Sequence, residues 1–299
     1  MIVLIIGFGS IGRRHSRILK KRKEIKKIFV LTKQQIPSGL IKCDNINDIK
    51  LINPDYIIIA SETTKHFYHL KLINSIFKKK KILVEKPLYE KFSEIKFIKN
   101  KIFVGYNLRF HPIIQKIKNI VGNKTIYSIN SLCLSDLKKW RKGRNYSKTS
   151  SATKIAGGGV TNDLSHEFDF ITWIFGQMKL AYSTNKKISN LKIQTCDYLS
   201  LSAKIKKNIL VLINLNYFSK LNSRMIFIDG KNFSIKADLI KNSLHLKKDK
   251  VSKFYKLKKF KTDSTYSSMH SSIINNDFKN LCTYKEAIKV VKLIDQIKR

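Results

Sequence analysis

The sequence predicts an α/β protein with a doubly wound parallel sheet, followed by a second α/β domain with a large, mostly antiparallel open sheet. Three observations lead to this fold class. The first third of the chain alternates short apolar segments with helix-like segments, and a glycine-rich turn joins the first apolar segment to the first helix. After about residue 120, long strand-like segments follow one another directly. We therefore expect two domains, residues 1–120 and 121–299.

The predicted strands of the first domain are short, apolar and rich in β-branched residues, which is typical of buried parallel strands. They are Ile2–Ile6, Ile28–Leu31, Tyr56–Ala60, Ile82–Val84 and Ile102–Val104. Helix-like segments lie between them, at Ile11–Lys21, Thr64–Phe77 and Phe92–Lys99. Strands that alternate with helices predict a parallel sheet with helices on both faces.

The second domain is predicted from longer strand-like segments with few helices between them. These strands are 124–136, 178–187, 193–205, 208–218, 224–229, 232–237 and 243–248. Helices are predicted from Leu164 to Phe175, near 268–281 and near 284–297. A polar loop covers 137–160, and Asp229-Gly230 indicates a hairpin turn. Neighbouring strands of this length predict a mostly antiparallel sheet with helices on one face.

The turn after the first strand has the pattern that a dinucleotide site requires. Gly7 permits a tight turn, Gly9 lets the backbone approach a pyrophosphate, and Gly12 lets the helix pack against the strand. The phosphates then lie at the amide-rich, positive end of the helix. Because this motif follows the first strand and opens a helix, it indicates dinucleotide binding more specifically than an isolated GxGxxG would.

A lysine follows another of the predicted parallel strands. Lys86, in Glu85-Lys86-Pro87, comes directly after Ile82–Val84, at the carboxyl end where ligands of parallel sheets bind. A lysine at this point can donate a proton or a hydrogen bond to a reacting oxygen. By position alone, Lys86 is equally well explained as one more solvated lysine.

A histidine follows the glycine run at 157–159. His166 lies off the apolar stripe of its predicted helix, on a face shared with Asp163 and Asp169. A histidine beside a carboxylate can be held in one tautomer and act as a general base. Asn162 or Asp163 would equally serve to cap the helix.

Polar and aromatic residues in two further segments are candidates for substrate contacts. Asn107 and Arg109 follow the strand Ile102–Val104, where they would reach a polar substrate or tie two domains together. Trp140-Arg141 and Tyr146 lie in the polar loop, where the alternative is an ordinary solvated loop.

The net charge of +40 raises the question of a nucleic-acid or anionic-membrane partner. The lysines are spread along the whole chain, and arginine, the preferred reader of phosphates and bases, is scarce beside lysine. Lys, Ile and Asn are over-used together, which is typical of A/T-rich coding. We therefore attribute the charge to composition and expect neither nucleic acid nor membrane as a partner.

The cysteines and the apolar segments indicate a cytoplasmic protein. The four cysteines are far apart and form no CxxC pair, so we expect free thiols and no metal site. The apolar N-terminus is short for a signal peptide, and no run approaches the roughly 20 apolar residues of a membrane span.

Taken together, these segments resemble the Gfo/Idh/MocA family of glucose–fructose oxidoreductases and inositol dehydrogenases. The matching segments cover residues 1 to about 176 and are Gly7 to His15, Ser61 to His66, Glu85 to Pro87, Gly105 to Phe110 and Gly157 to Trp173. Trp140-Arg141 and the Asp-Leu-Ser-His form of the histidine motif are most similar to a branch associated with bacterial surface-sugar biosynthesis.

The resemblance implies an N-terminal Rossmann domain and a C-terminal domain whose open sheet forms a homo-oligomer interface, in a dimer or a tetramer. It also implies hydride transfer between a nicotinamide and a carbon of a sugar, sugar nucleotide or polyol. In that reaction Lys86 polarises the reacting oxygen, His166 is the acid/base, and Asp163 orients His166 or shares its proton. The family places an acid four residues before the histidine, where this chain has Asn162, so the role of Asp163 stays open.

The resemblance also implies which residues bind the ligands. The cofactor-binding residues are Gly7, Phe8, Gly9, Ser10, Ile11, Gly12, Thr32, Lys33, Ser61, Thr63, His66, Glu85 and Lys86. The substrate-binding residues are Asn107, Arg109, Trp140, Arg141, Tyr146 and Asn162. Thr32 and Lys33 stand where the family usually has an acid that reads the cofactor ribose, so a 2′-phosphate is tolerated and both NAD and NADP stay open.

Two other classes of function occur on this fold. A hydrolase or lyase that cycles a tightly bound NAD internally is the alternative within enzymes. A non-catalytic regulatory protein on the same fold predicts the loss of Lys86 or His166, and both are present.

Overall fold

The computed structural model describes residues 1–141, 143–206 and 208–299, and the chain forms two compact units. The first unit contains Met1–Asn107 and Thr262–Ile288, and the second contains Leu108–Lys261 and Lys289–Arg299. This division differs from one break at residue 120, because a segment near the C-terminus returns to the first unit.

The strands and helices are numbered in chain order. The strands are β1 (Ile2–Ile6), β2 (Lys27–Leu31), β3 (Ile41–Cys43), β4 (Tyr56–Ile59), β5 (Lys81–Val84), β6 (Lys101–Val104), β7 (Ile126–Asp136), β8 (Met178–Lys186), β9 (Tyr198–Ile205), β10 (Ile209–Asn216), β11 (Phe218–Gly230), β12 (Phe233–Asp238), β13 (Ser243–Lys248), β14 (Val251–Lys256) and β15 (Cys282–Thr283). The helices are α1 (Ser10–Leu19), α2 (Ile46–Lys50), α3 (His66–Ile76), α4 (Pro112–Val121), α5 (Val160–Asp163), α6 (His166–Phe175), α7 (Asp263–Ile274) and α8 (Tyr284–Lys298).

The first unit is built on a seven-stranded sheet. Its strands lie in the order β3-β2-β1-β4-β5-β6, all parallel, and β15 pairs antiparallel with β6 at the edge. This order places the start of the chain at the centre, as in doubly wound dinucleotide-binding sheets. Every residue of β4 is fully buried, which explains its continuous apolar sequence. The predicted parallel sheet is confirmed.

The second unit is built on an eight-stranded open sheet. Its strands lie in the order β14-β13-β12-β11-β7-β10-β9-β8, and all neighbours are antiparallel except β7 and β10. Side chains alternate along β10, with Val211 and Ile213 buried on one face and Leu210 and Leu212 exposed on the other. The predicted mostly antiparallel sheet is confirmed.

The helix predicted over Phe92–Lys99 is wrong, because this segment is extended and irregular. Its backbone is satisfied by side chains far away in the sequence instead of by helical hydrogen bonds. The Ile95 N–H donates to the Tyr284 hydroxyl (2.8 Å), and the Lys99 N–H donates to Asn74 Oδ1 (3.0 Å). The local sequence pattern that predicts a helix contains no information about hydrogen-bond partners so distant in the sequence.

Element boundaries differ from the prediction at several further places, and β11 begins at Phe218 instead of residue 224. The hairpin between β11 and β12 turns at Lys231 and Asn232, so Gly230 lies in the strand ladder, where it pairs with Phe233. A Cβ on Gly230 would approach the Phe233 ring to 2.4 Å. The helix predicted near 268–281 runs from Asp263 to Ile274. The strand Val251–Lys256 was not predicted.

None of the helices in the described residues combines the length and apolar character needed to cross a membrane.

Candidate active site

The glycine turn of the first unit is fixed by close packing. Gly7 has a φ of +92°, and a Cβ on it would lie 2.7 Å from the Ser61 backbone at the end of β4. A Cβ on Gly12 would lie 2.3 Å from the Gly7 carbonyl oxygen. These two glycines therefore let the turn, α1 and the end of β4 approach one another.

Gly9, in contrast, faces open space. No protein atom among the described residues lies within 4 Å of a Cβ built on it. It is the N-cap of α1, and no described side chain caps this helix end. The first main-chain N–H groups of α1, those of Ser10 and Ile11, can therefore donate to an anion, and the open backbone at Gly9 leaves room for a pyrophosphate. The residues present fit a dinucleotide.

The residues beside this turn are placed by β2 and α1. Phe8 is buried, and the Arg13 guanidinium lies 4.6 Å from the centroid of its ring. Arg13 Nη2 also donates to Gln34 Oε1 (3.1 Å), while the Thr32 hydroxyl accepts the Gln34 N–H (3.1 Å). Lys33 is exposed. Because this segment has cations and hydroxyls and no acid, the choice between NAD and NADP stays open.

His66 connects the chain after β4 to the chain after β5. Its ring is 1% exposed, with Nε2 3.0 Å from the Ser61 carbonyl oxygen and Nδ1 3.0 Å from that of Pro87. Burial lowers the pKa of His66, and a neutral ring donates to only one of these carbonyls. Ser61 and Thr63 are half-buried. All three predicted cofactor residues follow β4, at the same sheet edge as the glycine turn.

Lys86 lies at this edge, after β5, and is half-buried. The preceding Glu85 is buried, and His15 Nε2 lies 2.9 Å from its Oε1. Glu85 Oε2 accepts the main-chain N–H of Lys86 (3.3 Å). Asn107, which follows β6, is buried and donates through Nδ2 to the Thr265 hydroxyl (2.6 Å), so its amide serves a contact within the first unit.

In the second unit His166 begins α6. The helix predicted from Leu164 to Phe175 begins two residues later, at His166, and the short α5 before it ends at Asp163. Asp163 Oδ2 accepts the hydroxyl proton of Tyr217 (2.5 Å). Burial and the Asp163 carboxylate raise the pKa of Tyr217 well above its ordinary value, so the phenol remains a donor.

Asn162 is 1% exposed and is only partly satisfied. Its Nδ2 donates to the Gly157 carbonyl (2.7 Å), whereas its Oδ1 has no hydrogen-bond partner among the described residues. A buried orphan acceptor is costly unless a ligand or water completes it. The substrate contact at Asn162 stays a prediction.

The carboxylates of Asp169 and Glu167, both on α6, are held by arginines. Arg109, only 1% exposed, donates to Asp169 through Nη2 (2.7 Å) and Nε (3.0 Å). Glu167 is fully buried and accepts from Nε (2.8 Å) and Nη2 (3.0 Å) of Arg224. Asp169 is three positions after His166 on α6, so the predicted shared face is compatible with this ion pair, and Arg109 has a structural partner.

A cationic cleft of about 760 Å³ lies in the loop after β7. It is lined by Lys138, Lys139, Trp140, Arg141, Gly143, Arg144 and Asn145. The Trp140 ring packs edge-on against Tyr217, with 5.1 Å between centroids, so the cleft adjoins the residue that binds Asp163. Tyr146 lines a smaller adjoining cavity, and its hydroxyl accepts the Lys192 N–H (3.2 Å).

Tyr217 was missed by the sequence reasoning, because it follows a regular apolar strand with no local signal. The position of Tyr217 depends on strand pairing that cannot be seen in the sequence. The next residue, Phe218, pairs with Asp136, and the Tyr217 carbonyl accepts the Leu137 N–H (2.8 Å).

The sheet order and the glycine turn define a dinucleotide-binding protein of the Rossmann class. Residues 1–102 match the family model GFO_IDH_MocA, described as "Oxidoreductase family, NAD-binding Rossmann fold". Residues 1–102 are therefore similar to the Gfo/Idh/MocA oxidoreductase family, and the predicted resemblance, oxidoreductase class and NAD-type cofactor agree with this match.

Individual relatives agree with this assignment. The uncharacterized oxidoreductase YrbE of Bacillus subtilis (strain 168) is 30% identical over 193 residues, which are 58% of this chain and 53% of YrbE. The chain spans about a third to a half of the length of the curated relatives it matches.

Two solved structures share the fold. UDP-N-acetylglucosamine 3-dehydrogenase GnnA from Acidithiobacillus ferrooxidans has a TM-score of 0.80 at 15% identity, covering 99% of this chain and 96% of that one. The WlbA dehydrogenase from Bordetella pertussis, in complex with NADH and UDP-GlcNAcA, has a TM-score of 0.78 at 14% identity, covering 100% and 95%.

Proposed function

We propose that this protein is an NAD(P)-dependent oxidoreductase that transfers a hydride between a nicotinamide and the CH–OH or keto carbon of a sugar, sugar nucleotide or polyol. The observation that carries the proposal is the open backbone at Gly9, beside a helix end without a side-chain cap. Lys86 follows β5 at the same edge of the same sheet. An acid/base group and a dinucleotide at one edge are what alcohol oxidation requires.

The chain's own residues would handle the proton and the charge. A bound nicotinamide supplies or accepts the hydride. Lys86 donates a hydrogen bond to the reacting oxygen and stabilises the negative charge that develops there. His166 takes the hydroxyl proton in oxidation and returns it in reduction. Asp163, held by the Tyr217 hydroxyl, orients His166 or shares its proton.

The cationic cleft favours an anionic substrate. Four of its lining residues are lysines or arginines, and Trp140 offers an aromatic surface beside them. Guanidinium groups bind phosphates through paired N–H donors. The names of the structural neighbours GnnA and WlbA involve UDP-sugars, so a sugar linked to a nucleotide is the substrate class we propose first, with a phosphorylated sugar second.

The experiment is a screen of UDP-sugars, sugar phosphates and free sugars with NAD⁺ and with NADP⁺, read by the absorbance of the reduced nicotinamide. Lys86→Ala and His166→Ala should each reduce kcat by about 10²-fold or more, because each removes a positioned proton donor or acceptor. Lys91→Ala and His245→Ala, both at exposed positions, are the matched controls. Normal rates in both site variants would refute the assignment.

The same screen separates the alternative enzyme class. Substrate consumption without net accumulation of reduced nicotinamide would indicate a hydrolase or lyase that cycles its cofactor internally. No consumption of any candidate, together with tight NAD binding, would favour a regulatory binding protein.

We also propose that the outer face of the eight-stranded sheet joins two copies of the chain. One row across its strands contains three apolar side chains, those of Tyr182, Leu212 and Phe227. Ser202 pairs with both Tyr182 and Leu212, and Asn130 pairs with both Leu212 and Phe227. Tyr182 and Leu212 are 68% and 54% exposed. An apolar row on an open sheet face is typical of a protein interface.

A further inference from the structure

Four polar side chains form a continuous buried chain in the first unit. The Tyr56 hydroxyl lies 2.9 Å from His270 Nδ1, and His270 Nε2 lies 2.9 Å from His15 Nδ1. His15 Nε2 lies 2.9 Å from Glu85 Oε1. Tyr56, His270 and His15 are completely buried, and Glu85 is 6% exposed. The chain connects β4, α7 and α1 to the end of β5.

The proton positions in this chain follow from its end groups. When Glu85 is ionised it only accepts, so a neutral His15 donates from Nε2 and accepts at Nδ1. His270 must then donate from Nε2 and accept the Tyr56 proton at Nδ1. Burial lowers the pKa of His270 well below its ordinary value and raises that of Tyr56, so both remain neutral near pH 7. With Glu85 ionised and His15 neutral, one arrangement of protons satisfies every link.

The chain ends at the residue that precedes Lys86. Glu85 Oε1 faces His15, and Glu85 Oε2 accepts the Lys86 N–H. The carboxylate also lies against the backbone of Gly105, where a Cβ would be 2.7 Å from Oε1. With both oxygens engaged and one side closed, the carboxylate has a single orientation, and it fixes the start of the turn that carries Lys86.

A buried polar chain of this length is costly unless every member is satisfied, and apolar packing would stabilise the same elements without that requirement. We infer that Tyr56 and His270 are positioning residues for Lys86, acting through His15 and the Glu85 carboxylate. The use of Lys86 in hydride transfer rests on the proposed function. Its placement by this chain does not, and it is tested separately.

The test measures the reactivity of the Lys86 amine without any substrate. Wild type, His270→Leu, His270→Gln and Tyr56→Phe are labelled briefly with acetic anhydride, and the Lys86 peptide is quantified by mass spectrometry. Exposed Lys33 is the internal reference. Ile273→Ala, a completely buried apolar position on α7, is the control for general loosening of that helix.

His270→Leu should raise the labelling rate of Lys86 relative to Lys33 about fivefold, since losing one hydrogen bond costs about 1 kcal/mol. Tyr56→Phe should act in the same direction. His270→Gln should restore the wild-type rate, because its side-chain N–H₂ can still donate to His15 Nδ1. The ¹⁵N spectrum of histidine-labelled protein should show the Nε2–H tautomer for both His15 and His270.

The inference is overturned if folded His270→Leu and Tyr56→Phe proteins label Lys86 at the wild-type rate. It is also overturned if Ile273→Ala gives an equal rise, or if either histidine has the Nδ1–H tautomer. Shifted labelling in a protein that oxidises no candidate substrate supports the inference and counts against the proposed function.

Discussion

Replacing Gly9 with alanine should separate cofactor binding from folding. Gly9 has φ −69° and ψ −167°, a conformation that alanine adopts without strain, and no described protein atom lies within 4 Å of the added Cβ. The substitution reduces the freedom of the unfolded chain, so the free energy of unfolding should stay equal or rise by about 0.4–1 kcal/mol.

Cofactor affinity should respond in the opposite direction. The methyl group would occupy the space into which the proposed pyrophosphate must come to reach the amides of α1. A hydrogen bond to a charged group contributes about 1.5–3 kcal/mol, so the loss of one such bond should raise the Kd for NADH about 10- to 150-fold.

The assay is a fluorescence titration with NADH, paired with urea unfolding of the same preparations. Gly12→Ala is the contrasting variant, since its Cβ would lie 2.3 Å from the Gly7 oxygen, and it should lose about 2 kcal/mol or more of stability. Wild-type NADH affinity in a folded Gly9→Ala protein would show that the pyrophosphate does not lie at this turn.

Three further outcomes are expected. Arg109→Met should lower the free energy of urea unfolding by about 3–5 kcal/mol, because the buried Asp169 carboxylate loses the Arg109 charge, and adding Asp169→Leu should recover much of it; a loss below about 1 kcal/mol contradicts this ion pair. Burial lowers the pKa of His111 to about 4. The contribution of the neutral His111 to the free energy of unfolding is therefore complete above about pH 6.5 and declines as the pH falls toward 4. His111→Asn, which can keep the helix cap, should lose less free energy of unfolding between pH 7 and pH 5 than the wild type does, as measured by urea titrations, and an equal loss in both proteins would contradict this. Leu212→Lys should dissociate the protein in analytical ultracentrifugation, and an unchanged mass, or a monomeric wild type, would count against the proposed interface.

The parallel sheet could be predicted because its signals are local. Each buried strand is a short β-branched run, and the glycine turn specifies both a strand end and a helix start within a few residues. The cofactor residues follow from this arrangement, since the carboxyl ends of parallel strands share one edge. The same logic placed Lys86 after β5.

The remaining contacts depend on partners far apart in sequence. Sequence spacing gave no sign that Asp169 pairs with Arg109, which is 60 positions away. Tyr217 reaches Asp163 through strand pairing, and His270 reaches His15 across 255 positions. Such pairs depend on the tertiary fold and leave no periodic trace in the sequence.

The return of residues 262–288 to the first unit has a consequence for synthesis. A ribosome that has made Met1–Asn107 must add a further 154 residues before Thr262 appears, which takes about 8–30 s at about 5–20 residues per second. During that interval β6 lacks its edge partner β15, and His15 lacks His270. Until the segment 262–288 is made near the end of translation, the nascent first unit therefore has an open sheet edge and an incomplete core.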